Sequence, residues 1–353
     1  MSKEQNQTGL NCPLPIAQHD TIQLAHGSGG TLTNNLIRKL FAFAFDNEAL
    51  RALDDQATLD VGGQRLTFST DSYVVDPIFF PGGDIGELAV NGTVNDLCMN
   101  GARPLYLSAG FIIEEGLPLT DLRRIVTSMK NAAEAAGVQI VTGDTKVVNR
   151  GKGDKIFINT AGIGVLEHDY DIAASKILPD DMIILSGDIA AHGMAILSQR
   201  EGLAFESPIE SDTAALNGLV AEIVASVGEG IHAMRDATRG GLAAVLNEFA
   251  VASQVSIQLD EDAIPVDAPV AGACELLGID PLYVANEGRL VVAVSAKYAN
   301  RLLDVMRAHH LGRRAVRAGR VSSGRPGLVT LRTRLGAERI VDMPVGEQLP
   351  RIC

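Results

Sequence analysis

Predicted strands alternate with predicted helices along this 353-residue chain, and that alternation restricts its fold more than any other feature. Sheets layered with helices follow from it, so the class is α/β or α+β, and a helical bundle is excluded. The length suffices for more than one core, which makes two domains the default. A polar stretch from His168 to Asp181, interrupted by Pro179, marks the boundary. The expected division is a first domain over 21–167, a linker over 168–180 and a second domain over 181–342. Residues 1–20 read as a disordered or loosely docked extension. Residues 343–353 read as a mobile tail.

In the first half, Leu66 to Ser72 and Leu105 to Ile113 have strand character. Asp84 caps a helix that runs toward Gly101, where Pro104 forbids its continuation. Thr120 is the expected cap of an amphipathic helix carrying Leu122, Ile125, Val126 and Met129, closed by Gly137. Val138–Val148 and Ile156–Val165 flank Gly151-Lys152-Gly153-Asp154 and predict a hairpin. In the second half, strands are expected at 182–186, 255–259, 288–294 and 328–331. Helices are expected near 192–200, 212–227, 241–252 and 297–310.

Composition removes several function classes. A net charge of -13 with no basic stripe argues against nucleic acid as a partner. No apolar run reaches the roughly 18 residues of a membrane span, so no membrane is expected. The first eighteen residues have no signal-like apolar core. Cys12, Cys98, Cys274 and Cys353 are scattered without a C-x-x-C pair, which suggests neither zinc nor a disulfide framework and fits the cytoplasm.

Four acids stand beside glycine, threonine or asparagine at the ends of predicted elements: Asp71, Asp96, Asp144 and Asp236. Such positions suit a hard cation, and Mg2+ takes one or two carboxylates together with phosphate oxygens and water. A cap or turn acid is the plainer reading of any one of them. His26-Gly27-Ser28-Gly29-Gly30 precedes a helix, so Gly27, Gly29 and Gly30 are candidates to turn backbone N–H groups toward a phosphate. The loop has neither the lysine of a Walker loop nor the spacing of a dinucleotide fingerprint, and a plain turn also explains it. Asn91 and Asn95 share a helical face beside Asp96. Gly143-Asp144-Thr145-Lys146 places an acid and a cation on one face of a strand. Arg235-Asp236-Ala237-Thr238-Arg239-Gly240-Gly241 is read as opening a helix, and Asn286-Glu287-Gly288 precedes a strand.

The chain ends in Met343-Pro344-Val345-Gly346-Glu347-Gln348-Leu349-Pro350-Arg351-Ile352-Cys353, which has no helical or strand period. Extended, this segment reaches roughly 30 Å, enough to enter a cleft. A frayed terminus with an incidental cysteine is one reading; a substrate arm is the other. The terminal carboxylate disfavours ionisation of the Cys353 thiol, and Arg351 partly compensates.

Taken together, S-T-D-S at 69–72, N-D at 95–96, G-A-R-P at 101–104, G-D-T-K at 143–146 and R-D-A-T-R-G-G at 235–241 resemble a superfamily of ATP-using enzymes. It includes aminoimidazole ribonucleotide synthetase, selenophosphate synthetase and thiamine monophosphate kinase. H-G-S-G-G near the start and P-R-I-C at the end resemble, within it, the hydrogenase-maturation carbamoyl dehydratases. Selenophosphate synthetase would place a lysine beside a reactive residue ahead of the glycine loop, and no lysine lies between Lys3 and Lys39.

The resemblance implies a two-domain PurM-like fold whose N-terminal sheets pair into a barrel across a homodimer. ATP and Mg2+ would occupy a cleft bordered by both domains. By motif match, Asp71, Asp96, Asp144 and Asp236 would hold metal, and Gly27, Gly29, Gly30, Asn95, Thr145, Arg235 and Thr238 the nucleotide. Lys146 and Glu287 would be the catalytic pair, either of them the base. Cys353 would accept a carbamoyl group from the carbamoyltransferase HypF, undergo ATP-dependent dehydration to a thiocyanate and hand the cyano group to iron held by HypC and HypD. The rival readings are phosphorylation of a free small molecule and a non-catalytic group carrier.

Overall fold

The computed structural model describes residues 20–203, 208–345, 349 and 351–353. The expectations for residues 1–19, for Gly346 to Gln348 and for Pro350 lie outside the described residues. The first half contains β1 (Ala57–Val61), β2 (Gln64–Tyr73), β3 (Phe79–Phe80), β4 (Gly83–Asp84), β5 (Arg103–Glu114), β6 (Gln139–Val148) and β7 (Ile156–Val165). One sheet runs in the order β1, β2, β7, β5, β6, and β3 pairs with β4 as a small ribbon.

The helix Ile85–Cys98 carries small and apolar residues on nearly every side, and it lies buried between this sheet and the rest of the molecule. Asp84 caps it as expected, accepting from the N–H groups of Gly86 and Glu87. The helix Leu119–Ala136 crosses it closely: a Cβ on Gly86 would lie 2.4 Å from the Ile125 carbonyl oxygen. That second helix buries Ile125, Met129, Ala132, Ala133 and Ala136, and Gly137 ends it in the left-handed conformation. Pro118 occupies its N-cap position, so Thr120 sits inside the first turn and is not the cap.

The expected hairpin of β6 and β7 does not form. The helix Leu119–Ala136 returns the chain so that β6 enters parallel to β5, and β7 pairs antiparallel with the other edge of β5. The glycine-rich segment between them wraps the end of β5, where Glu114 N–H donates to the Lys155 carbonyl and Glu115 N–H to that of Val148, each at 2.8 Å.

The second half adds β8 (Met182–Leu185), β9 (Ile231–Asp236), β10 (Ser256–Asp260), β11 (Leu290–Val294), β12 (Val316–Ser322), β13 (Leu328–Arg332) and β14 (Glu338–Ile340). Their order is β14, β13, β10, β12, β8, β11, β9. Both faces are covered, one by the helices Ala191–Arg200, Gly241–Ala252 and Ala268–Leu277, the other by Asn217–Val227 and Ala299–Ala308. Every residue of β11 is buried as a result. The expected helix at 212–227 begins only at Asn217, because the residues before it run against the first half, Ser211 N–H donating to the Pro81 carbonyl at 2.8 Å. Arg235 and Asp236 end strand β9, and the helix opens later, at Gly241. Among the described residues no helix is long and apolar enough to cross a membrane.

Candidate active site

The two halves meet where β2, the helix Ile85–Cys98, the end of β9 and the start of β11 converge. Asp71, Asp96, Asp236 and Glu287 gather there, and Asp55 joins them from just ahead of β1. Burial holds the carboxyl of Asp96 well above the usual range, and the charges of Asp236, Asp55 and Asp71 push the same way; the Ser69 hydroxyl, 2.9 Å from Asp96 Oδ2, opposes. Burial and then Asp55 raise Asp236, with Arg235 opposing. Burial, Asp236, Asp71 and Asp212 raise Glu287, with Arg239 opposing. Asp55 is raised to about 6, chiefly by burial. One oxygen of Asp236 and one of Glu287 are buried without a hydrogen-bond partner.

Orphaned buried carboxylate oxygens are what a hard cation satisfies. Among the described residues no three acidic, histidine or cysteine side chains converge as a ready-made metal cage. The donor set is of the kind that could take Mg2+ completed by phosphate and water, and Asp71, Asp96 and Asp236 are the candidates that could hold it.

Asp144 is apart from this group. It lies with Thr145 and Lys146 on β6, the edge strand, whose residues are almost all exposed. Lys146 Nζ bonds both oxygens of Asp144, at 2.6 and 2.7 Å. Lys146 stands opposite Ile112 and Asp144 opposite Gly110 on the solvent face of the sheet, with β5 and β7 between them and β2. The expected pair of Lys146 with Glu287 is thus not assembled within one chain.

Two other expected nucleotide contacts are occupied by the protein itself. Asn95 donates to the carbonyls of Ala214 (3.0 Å) and Glu287 (3.3 Å) and accepts from Leu216 N–H (2.7 Å), so its amide staples the helix to the second half. Arg235 is buried among Asp54, Asp55 and Glu248, its guanidinium engaged by all three. It therefore holds acids in place beside the cleft. Asp54, Asp55 and Glu248 carried no sequence signal, because only the fold brings them together around Arg235. Thr238, half-buried, supplies its carbonyl to the turn N–H of Gly241.

The glycine loop is met by the tail and by Arg239. A Cβ on Gly30 would lie 2.2 Å from the Pro344 carbonyl oxygen, and one on Gly29 would lie 2.8 Å from that of Arg239. The Pro344 carbonyl accepts from Thr31 N–H at 2.7 Å, and Arg239 donates to the Gly27 carbonyl at 3.2 Å. Gly29 and Gly30 thus admit a neighbouring backbone, and the first free N–H of the following helix faces Pro344.

From there the chain end enters the cleft. Ile352 and Cys353 are buried and belong to the core of the first half. Cys353 lines a small cavity of about 60 Å³ with Arg239, Gly27, Val74 and Tyr283. Val74 N–H donates to a terminal oxygen of Cys353 (3.0 Å) and Asp76 N–H to the Arg351 carbonyl (3.2 Å). Burial pushes the Cys353 thiol up to about 12; Arg239 opposes, while Glu287, Asp71 and Asp236 reinforce. Arg351 does not supply the compensating charge expected of it. It pairs with Asp154 and donates to the Val74 carbonyl, and Arg239 is the cation beside the sulfur. Arg351 is left-handed at φ 53°, a conformation that costs a non-glycine residue about 1–2 kcal/mol.

Family models described as AIR synthase related protein match residues 53–166 (N-terminal domain) and 179–331 (C-terminal domain). The chain is similar to the carbamoyl dehydratase HypE of Cupriavidus necator, with 54% identity over 98% of each chain. Among solved structures, a HypE–HypF complex aligns at a TM-score of 0.84 and 51% identity, covering 88% of this chain and 99% of that one. HypE in complex with ATP aligns at 0.80 and 51%, covering 94% and 100%. With a two-domain fold of the AIR synthase kind, a cleft of buried acids and a relative this similar along its whole length, the chain belongs to the HypE family of carbamoyl dehydratases.

Proposed function

We propose that this chain removes water from a carbamoyl group carried on its own Cys353, leaving a thiocyanate. The observation that carries this reading is the family membership along nearly the whole chain. It is supported by a terminal cysteine lying beside Arg239 and Glu287 in the acidic cleft. ATP would supply its γ-phosphoryl group to the amide oxygen, with ADP departing, so that the oxygen can leave as phosphate; Asp71, Asp96 and Asp236 would hold the Mg2+ that accompanies it.

The chain's own residues do the rest. Arg239 offsets negative charge that develops next to the sulfur. Glu287 takes the two protons of the carbamoyl nitrogen in turn, the first passed on before the second is accepted as phosphate departs, with Lys146 the alternative base. Burial and its acidic neighbours raise the Glu287 carboxyl well above the usual range. Asp236 and Asp71, if paired with a cation, would repel the Glu287 carboxylate less and so favour its basic form. Enclosure by Val74, Tyr283 and the tail itself keeps water from the reacting carbon.

The working unit is a homodimer formed through the N-terminal sheets. The solvent face of that sheet carries a row of Phe68, Ile163 and Tyr106 across β2, β7 and β5, with Ile112 beyond, an apolar surface suited to a second copy. HypF supplies the carbamoyl group, HypC and HypD receive the cyano group on iron, and the cytoplasm is the compartment. Mass spectrometry of the C-terminal peptide after carbamoylation tests the reaction. Loss of one water on adding Mg-ATP supports dehydration; an unchanged carbamoyl adduct rejects it.

A further inference from the structure

His192 is fully buried and has no role in the chemistry above. It sits in the first turn of the helix Ala191–Arg200, and its ring lies edge-on to Phe80 at 5.5 Å between centroids. The backbone beneath it is fixed: Ala190 N–H donates to the Asn286 side chain at 2.7 Å, and Gly193 N–H to the Ala285 carbonyl at 3.1 Å.

The ring makes two bonds. Nε2 lies 2.6 Å from the Ile352 carbonyl and Nδ1 lies 2.7 Å from the Ser211 hydroxyl. A carbonyl oxygen only accepts, so Nε2 carries the proton and Nδ1 accepts from Ser211. The Ser211 oxygen in turn accepts from Thr213 N–H at 3.1 Å. Burial lowers the basicity of the ring further, which keeps it neutral in this tautomer.

The backbone oxygens of the last three residues are thus all matched, from two sides. Val74 N–H takes a terminal oxygen of Cys353 and Asp76 N–H the carbonyl of Arg351, to which Arg200 also donates at 2.9 Å. Between them, the carbonyl of Ile352 turns to His192.

We propose that His192 is a positioning residue that holds the C-terminal tail in the cleft by donating to the Ile352 carbonyl, and that Ser211 fixes the tautomer in which it does so. This rests on the reading of Cys353 as the reacting group. The latch reads the backbone of the residue before the cysteine, so it engages the thiol, thiocarbamate and thiocyanate forms alike. When the tail leaves, the Nε2–H loses its protein partner, so docking is favoured without being locked.

The test is alkylation of Cys353 by iodoacetamide in the full-length chain, followed on the C-terminal peptide by mass spectrometry. In His192→Leu the labelling rate is expected to rise about tenfold, the effect of one lost hydrogen bond. In His192→Gln, whose amide offers a donor at similar reach, it is expected to return to within about twofold of the wild type. A packing role alone would lower the melting temperature of both variants without separating their labelling rates. If His192→Leu does not fold, Ser211→Ala leaves the ring in place and frees its tautomer, and a rise of about two- to threefold is expected. Unchanged labelling in the folded variants, or His192→Gln labelling as fast as His192→Leu, overturns the latch. Neither readout needs a carbamoyl group, so loss of the latch and loss of the dehydratase reading are separable.

Discussion

Arg239 and Cys353 line one small cavity, and the charge of Arg239 is the main force opposing the burial that keeps the Cys353 thiol protonated. Arg239 also bonds the Gly27 carbonyl and Asp71, so its position is set by the glycine loop and by strand β2 together. Replacing it with glutamine removes a preorganised charge from the reacting sulfur. Water loss from carbamoylated Cys353, read by mass spectrometry in a single turnover, should slow by about 10²-fold. Arg239→Lys should recover part of that rate, since the charge returns and the fork does not. An unaltered rate in Arg239→Gln would remove the residue from the reaction.

The protonation of Glu287 sets a pH dependence. Its carboxyl is raised well above the usual range by burial and by Asp236, Asp71 and Asp212. The basic form is therefore scarce in acid and grows as pH rises through the raised value. Single-turnover water loss should climb with pH from 5 through neutral. In Glu287→Gln it should be lower and nearly flat over the same range. A rate that falls with pH in the wild type would exclude Glu287 as the base.

The sequence makes elements legible where periodicity and caps agree, as for the helix that Asp84 starts and the one that Gly137 ends. It fails on β6 and β7, because two apolar runs around a glycine-rich turn look like neighbours unless the long β5 is known to sit between them. Strand β9 is missed because Ile231-His232-Ala233-Met234-Arg235-Asp236 shows no alternation: the strand is buried on both faces, and His232 and Arg235 find acidic partners there. Asp71, Asp96 and Asp236 are legible from their small polar flanks, but the same flanks also mark Asp144, which lies on the exposed edge strand, and leave out Asp55. Arg239, within a motif the sequence displays, is not separable there from Arg235, since only the fold decides that one is saturated by Asp54, Asp55 and Glu248 while the other turns to Cys353. His192 has no sequence signal at all, because its partner is a backbone carbonyl at the far end of the chain.

Crowding of acids without a cation has a consequence for stability. The folded-state pKa of Asp236 is raised, against about 3.9 in an unfolded chain. Between those two values the folded state holds the extra proton, so the contribution of this group to stability is present below about pH 4 and is lost as pH rises through the raised value. Asp236→Asn lacks that dependence. In chelator at pH 8 the variant should melt about 2–4 °C above the wild type, with the gap closing toward pH 5. Added magnesium should raise the wild type and leave the variant unmoved. A gap that widens toward acid would contradict the burial of an uncompensated carboxyl here.

Lys146 and Cys353 lie in different parts of one chain, the first on the exposed edge strand β6, the second in the cleft on the far side of β2. If Lys146 serves the reaction, the sheet-to-sheet dimer must bring it to the other protomer. Mixing Lys146→Ala chains with Cys353→Ala chains tests this, because neither homodimer can complete the reaction. In the mixed dimer an intact Lys146 faces the one remaining Cys353 only across the interface. Water loss from that cysteine should return to about the wild-type rate per competent site. Persistent inactivity of verified mixed dimers would mean that Lys146 acts within its own chain after a rearrangement of β6. Full activity in the Lys146→Ala homodimer would remove it from catalysis and leave Glu287 as the base.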